Sequence, residues 1–198
     1  MKRGLNARGQ RGRMETIINE MERVMDEADC IFTPAEVDAA LGRMAAEITA
    51  RLSAARPLVL CVMHGGLITA GRLLPQLEFP LESGYLHATR YGHETCGGHL
   101  DWKVRPTENL RGRTVLLVDD ILDEGRTLGA IIDYCRDEGA KEVLTAVLVD
   151  KRHERKVHPG MSADFVGLIS PDRFLFGCGM DYKGFWRNAA GIYAVKGL

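Results

Sequence analysis

The chain has 198 residues, 45% hydrophobic and 27% charged, the proportions of a globular domain with a real core and not of a disordered or disulfide-stapled chain. Twenty-six Lys and Arg against 27 Asp and Glu leave a formal charge of -1, which argues against retention on nucleic acid by bulk charge, and no run of 18 apolar residues offers a membrane span. Cys30, Cys61, Cys96, Cys135 and Cys178 are odd in number and form no C-x-x-C pair, so they read as thiols of a reducing cytosol and not as disulfides or zinc ligands.

Residues 1–13 are basic and glycine-containing, with neither an acid nor the apolar block of a secretory signal. They are expected to form a disordered leader ahead of a single domain over 14–198; a transit peptide and a start at Met14 are the alternatives. With the leader's five basic residues removed, 21 Lys and Arg face 27 acids, so the total near zero hides a body of -6.

From Met14, apolar Ile17, Ile18, Met21, Val24, Met25 and Ala28 recur at spacings of three and four and predict a helix. Thr33-Pro34-Ala35-Glu36 is a capping box with proline at the first helical position, and Val37, Leu41, Met44, Ile48 and Leu52 mark the buried stripe of a second helix. The period then changes. PLVLCVM (57–63) is a continuous apolar run ended by His64-Gly65-Gly66, which predicts a strand, a glycine turn and a short helix. GYLHAT (84–89) predicts another strand, and residues 90–102, rich in glycine, histidine and charge, a mobile loop. RTVLLV (113–118) is a buried strand; Leu128, Ile131, Ile132 and Cys135 give the next helix its inner face, and Gly139 ends it. VLTAVLV (143–149) closes a βαβ unit, and DFVGLI (164–169) supplies a further strand before an aromatic, glycine-broken tail from Phe174 to Trp186. The class is α/β, a mainly parallel sheet flanked by helices on both faces.

Ligands in such sheets bind beyond the carboxyl ends of the strands. After 113–118 stands Asp119-Asp120-Ile121-Leu122-Asp123-Glu124-Gly125-Arg126-Thr127. Adjacent carboxylates accept hydrogen bonds from sugar hydroxyls, and a helix start opened by glycine offers unpaired N–H groups to phosphate. Spacing alone is equally compatible with an acid pair that merely caps a loop. None of the six histidines shows metal-ligand spacing such as H-E-x-x-H, so His87, His93, His99, His153 and His158 read as surface or loop residues. Neither G-x-G-x-x-G nor G-x-x-x-x-G-K-[ST] occurs, which removes the dinucleotide-fold and P-loop readings.

The full string VLLVDDILDEGRT resembles the phosphoribosyl-pyrophosphate (PRPP) signature of the type I phosphoribosyltransferases. CVMHGG, ATRYG, VLVDKR, PDRFLFGCGMDY and FWRN extend the resemblance, toward the hypoxanthine-guanine branch, over most of the chain from Met14. It implies that family's fold, with a small hood of C-terminal and N-terminal segments over the base site. The implied activity is purine salvage: hypoxanthine or guanine plus PRPP gives IMP or GMP and pyrophosphate. Asp119 and Asp120 would hold the ribose hydroxyls; Glu124, Gly125, Arg126 and Thr127 would cradle the 5′-phosphate, and Asp123 would be the general base. Lys151 would meet the 6-oxo group, Phe174 would stack on the purine, the Leu175 backbone would read its edge, and Asp181 would complete that site. Asp181 would also approach Mg2+ held with substrate oxygens, with Asp119 and Asp120 as further candidate ligands. His64, Gly65 and Arg187 would contact pyrophosphate, and a lid would start at Arg90 and Tyr91. The same resemblance implies a cytoplasmic homodimer or homotetramer acting on small molecules, with no nucleic-acid or membrane partner. Two residues depart from the family pattern: His64 stands where lysine is frequent, and Glu124, where threonine is frequent, is expected to turn to solvent. The alternatives are a PRPP-sensing regulator on the same fold and a xanthine-preferring enzyme. The joint presence of Asp123, Lys151, Phe174 and Asp181 favours chemistry over sensing.

Overall fold

In the computed structural model, which describes residues 3–90 and 100–197, the chain opens with α1 (Arg3–Glu27). Helical backbone therefore takes in residues 3–13, which composition alone leaves disordered. The apolar stripe of α1 is only partly covered: Met21 is buried, whereas Met14 and Ile18 are exposed. A short strand, β1 (Asp29–Phe32), leads to α2 (Pro34–Leu52). Here the capping box closes as the sequence requires. Thr33 Oγ1 accepts from the Glu36 N–H at 3.3 Å, and the Glu36 carboxylate accepts from the Thr33 N–H at 2.8 Å.

The main sheet follows: β2 (Leu58–Val62), α3 (Gly66–Leu73), β3 (Glu82–Arg90), β4 (Leu100–Val104), β5 (Thr114–Leu122), α4 (Arg126–Asp137), β6 (Glu142–Lys151) and β7 (Phe165–Ser170). Its order is β4-β3-β2-β5-β6-β7; all neighbours are parallel except the edge strand β4, which runs antiparallel to β3. Alternation along β5 divides the core. Leu116 and Val118 pack with Val37, Leu41, Met44 and Ile48 of α2, while Val115 and Leu117 pack with Leu128, Ile131 and Cys135 of α4. The two-sided cover expected of a parallel sheet is thus present, with β2 and the first five residues of β5 fully buried.

Two elements correct the sequence reading. Residues 100–104 are strand, not loop, and their pairing with β3 carries Arg90 opposite Leu100. The rest of the expected lid, Tyr91 included, lies outside the described residues. β5 also runs on through Leu122, with Asp119 opposite Val147, so the acidic pair sits on the strand and not beyond it.

A second, three-stranded sheet joins the two ends of the chain. β8 (Leu175–Phe176) and β9 (Ile192–Ala194) are antiparallel, and β9 pairs with β1. The loop between β8 and β9 is tied to α1: Trp186 Nε1 donates to the Met21 carbonyl at 2.9 Å, and Lys183 pairs with Glu20 at 2.6 Å. This is the hood that the resemblance implies, with N-terminal and C-terminal segments contributing together. No described helix is long and apolar enough to cross a membrane.

Candidate active site

Because β5 is central and continues past its apolar run, Asp119 and Asp120 are carried into the protein. Asp120 is only 7% exposed. Asp119 Oδ1 accepts from the Asp120 N–H at 2.9 Å. Burial pushes both carboxyls above the usual carboxylate range; the neighbouring Asp120 charge adds to this at Asp119, and Arg187 acts against it at both. Such a pair gains from any hydroxyl donor or cation that reaches it.

The chain then turns through Asp123 and Glu124 to Gly125, which takes φ 78° and sits at the N-cap of α4. A Cβ there would meet Met161, so both backbone conformation and space demand glycine. The first turn of any α-helix leaves N–H groups without intrahelical acceptors, and at α4 these belong to Arg126, Thr127 and Leu128. They line a cavity of about 290 Å³ together with Asp119 and residues 121–125. Glu124 does not simply face solvent: its carboxylate, 45% exposed, accepts from Arg126 Nε at 2.8 Å. That pairing offsets the Arg126 charge and leaves its remaining N–H groups for an anion.

Asp123 sits between two cationic or N–H donors. Lys151 Nζ lies 2.8 Å from Asp123 Oδ2, and His153 Nε2 lies 2.6 Å from Oδ1. Burial alone would raise the Asp123 carboxyl; the hydrogen bond and charge of Lys151 and then the hydrogen bond from His153 outweigh it and hold the group below its usual value. Lys151 ends β6, the strand beside β5, and is 7% exposed, so the solvated lysine that its basic neighbours suggest is not what folds. His153 lies in the loop after β6, as one half of its surface-or-loop reading has it, but its side chain is only 3% exposed, so it is not a surface residue. Asp172, not singled out from the sequence, lies 3.9 Å from Lys151 and bonds Arg155 through both oxygens. That fork pulls its carboxyl down to about 2.

The third part of the site is the turn between β2 and α3. The Met63–His64 peptide is cis, and Gly65 follows against the end of β5. A Cβ on Gly65 would fall within 3.0 Å of the Asp120 carboxyl, and one on Gly179 within 3.0 Å of the Gly65 carbonyl. Three backbone segments therefore meet with no room for a methyl group. Arg187 reaches the same place from the hood: Nη1 donates to the Gly179 carbonyl at 2.6 Å, and the guanidinium pairs with Asp181. Asp181 also accepts from the Gly184 N–H at 2.6 Å. His64, Arg187 and Asn188 line an open cavity of about 570 Å³ with apolar Leu67, Ile68 and Trp186. The His64 ring stands edge-on to His87, centroids 4.5 Å apart. His87, which the sequence reads as a surface or loop residue, stands instead on β3. Its position was legible in the register: Leu86 pairs with Val62, which brings His87 level with the turn that carries His64. Burial first, then His64, Lys103 and Arg187, push the His87 imidazole down, against a smaller upward pull from Asp101.

Phe174 leaves 46% of itself exposed, and its ring stands edge-on to Tyr182 at 5.8 Å between centroids, so a face of the ring is available to another flat group. The next residue, Leu175, is buried in β8. Around the carboxyl ends of β5 and β6, then, the fold gathers Asp119, Asp120, Asp123, the α4 start and Lys151, while His64, Gly65, Asp181 and Arg187 converge on the β5 flank from turn and hood.

Residues 31–183 match the family model described as the phosphoribosyl transferase domain. A hypoxanthine-guanine phosphoribosyltransferase of Aquifex aeolicus is 33% identical over 155 residues, covering 77% of this chain and 86% of its own. A bifunctional protein TilS/HprT of Listeria innocua is 30% identical over 186 residues, or 93% of this chain, which spans 28% of that longer protein. Among solved structures, a Bacillus anthracis hypoxanthine-guanine phosphoribosyltransferase superposes with a TM-score of 0.79 at 26% identity, covering 84% of this chain and 98% of the other.

Proposed function

The chain belongs to the phosphoribosyl transferase family, and from that membership we propose that it transfers the phosphoribosyl group of PRPP to hypoxanthine or guanine, releasing pyrophosphate. The observation that carries the choice of base is the Asp123–Lys151 pair, acceptor and cationic donor 2.8 Å apart, Asp123 just past the end of β5 and Lys151 at the end of β6, beside the α4 start. A 6-oxopurine offers the complement along one edge: an oxygen acceptor at position 6 beside the ring nitrogen N7, which carries a proton in the attacking base. Lys151 donates to O6 and Asp123 accepts from N7–H. As N9 bonds to the anomeric carbon and the bond to pyrophosphate breaks, the N7 proton passes to Asp123, which Lys151 has kept ionised to receive it. Adenine puts an amino group where O6 would be, and two donors would then face each other. The open Phe174 ring suits the face of the base, Asp119 and Asp120 suit the ribose hydroxyls, and the N–H groups from Arg126 onward suit the 5′-phosphate.

The donor set also fits Mg2+. Asp119, Asp120 and Asp181 offer hard oxygens, and burial makes the first two short of positive charge. Among the described residues no group of three or more ligating side chains stands ready for an ion, so most of its oxygens would come from PRPP. Bound there, the ion supplies neutralisation of the leaving pyrophosphate. The same reading takes residues 14–198 as one catalytic domain working in the cytoplasm as a homodimer or homotetramer.

The test is a spectrophotometric screen of hypoxanthine, guanine, xanthine, adenine and uracil with PRPP and Mg2+. Turnover is expected with hypoxanthine or guanine and absent with adenine and uracil. PRPP binding without turnover of any base would replace the enzyme by a sensor. A second expectation concerns His64. Lysine would bring a longer, permanently cationic donor to this turn. His64→Lys should therefore lower the KM for PRPP about threefold at pH 8. An unchanged KM would remove His64 from the pyrophosphate site.

A further inference from the structure

We infer that His153 is a positioning residue for the proposed general base: its imidazole, fixed as the neutral Nε2–H tautomer, donates to Asp123 and holds that carboxylate toward the purine edge. The inference rests on the purine-transfer reading above.

Both ring nitrogens of His153 are engaged. Nδ1 accepts from the Arg155 backbone N–H at 3.0 Å, and Nε2 lies 2.6 Å from Asp123 Oδ1. A neutral imidazole has one donor and one acceptor, so a backbone donor at Nδ1 puts the proton on Nε2. A second proton would have to displace the Arg155 bond. His153 is thus built as a donor and not as a relay that would take the proton from Asp123.

The loop that carries it is anchored on all sides. Lys156 pairs with buried Asp150, and Ser162 Oγ donates to Asp150 at 3.2 Å. The Val157 N–H donates to the Glu124 carbonyl at 2.8 Å, and Met161 packs where a Gly125 side chain would be. Arg155, whose N–H sets the tautomer, is itself held by the two oxygens of Asp172. The need for such a lock follows from Lys151. One ammonium must serve both Asp123 and the incoming O6, and when it turns toward the base the carboxylate would be free to rotate. His153 keeps the other oxygen fixed. The remaining charged groups facing the pair are Glu124, Arg155 and Asp172.

The test compares His153→Phe, which keeps a ring without a donor, with His153→Gln, whose amide can donate from nearly the same place. His153→Phe should lower kcat about tenfold with KM for base and PRPP within about twofold, and move the acid limb of kcat upward by about one pH unit, because Asp123 loses a donor that favours its charged form. His153→Gln should recover most of the turnover. Wild-type kcat and pH profile in His153→Phe would overturn the inference, as would equal losses in both variants with the acid limb unmoved. Nitrogen-15 resonances of His153 in the wild-type chain provide a readout that needs no variant. Neutral Nε2–H at pH 7 is expected, and Nδ1–H or a doubly protonated ring would overturn the lock. A wild-type chain that turns over no 6-oxopurine would defeat the functional reading instead, and the resonances would still decide the tautomer.

Discussion

Replacing Asp123 with Asn is expected to reduce turnover by two orders of magnitude or more, about the lower bound of what a positioned general base contributes, while IMP affinity changes by no more than about threefold. The substitution keeps shape and removes the charge. An amide nitrogen would also have to face either Lys151 Nζ, 2.8 Å from one carboxylate oxygen, or His153 Nε2, 2.6 Å from the other. Either placement sets donor against donor, so no rotamer restores the native bonds. The loss should fall on kcat, because N7 must shed its proton only as N9 attacks; in the bound nucleotide that proton is already gone. Steady-state kinetics with hypoxanthine, paired with calorimetric titration of IMP, separates the two. A kcat within tenfold of wild type would end the assignment of Asp123 as base.

Gly179→Ala is expected to destabilise the protein by about 3 kcal/mol, a fall in Tm of roughly 6 to 12 °C for a chain of this size. Gly179 takes φ 108°, a conformation that side chains rarely adopt, and its new Cβ would run into the Gly65 carbonyl and approach Asp120 Cβ at 3.1 Å. Neither neighbour can move freely. Gly65 abuts the Asp120 carboxyl, Asp120 is fixed in β5, and Gly179 is held by reciprocal bonds with Arg187. Relief must come from separating hood and turn, so the KM for PRPP should rise about tenfold alongside the fall in Tm. Gly184→Ala is the control: φ is 87° there but nothing lies within 4 Å of the added Cβ. It should show the backbone cost alone, about 1 kcal/mol. Equal melting points for the two variants would mean that the close approach at Gly179 does not constrain the fold.

What could be read in advance was local. The α2 capping box, the β5 run and the glycine that opens α4 each carry their instruction within a few residues, and each folds as that instruction says. β4 escaped because it is a polar edge strand: Asp101 and Lys103 have no reason to look buried, and its pairing with β3 is set by a chain reversal, not by periodicity. Asp119 and Asp120 look like loop residues to any hydrophobicity pattern, yet parallel pairing with β6 carries them into the strand. The site divides in the same way. The resemblance of their string to the family signature marks Asp119 through Thr127 as candidates, whereas His153 and His87 join the candidate site only through neighbours that lie 30 and 23 positions away. A histidine two residues beyond a strand end gives no sign of its own that it will be covered.

The second sheet has a bearing on how the molecule comes apart and together. β1 meets β9, and Trp186 meets Met21 across 165 positions of chain, long loop closures that join the two ends of the described residues. The central strands and the α4 start need much shorter closures and bury most of the apolar surface, so they are expected to form first. The parts of the hood differ in this respect: β8 and β9 bury Leu175, Phe176, Ile192 and Ala194, whereas α1 leaves Met14 and Ile18 exposed and belongs to the low-stability end of the molecule. Amide exchange should therefore be fastest in α1 and slowest in β2, β5 and β6. Local opening of this kind would free α1 from Trp186 and Lys183 while the main sheet stays closed, so one end of the chain would breathe without loss of the core.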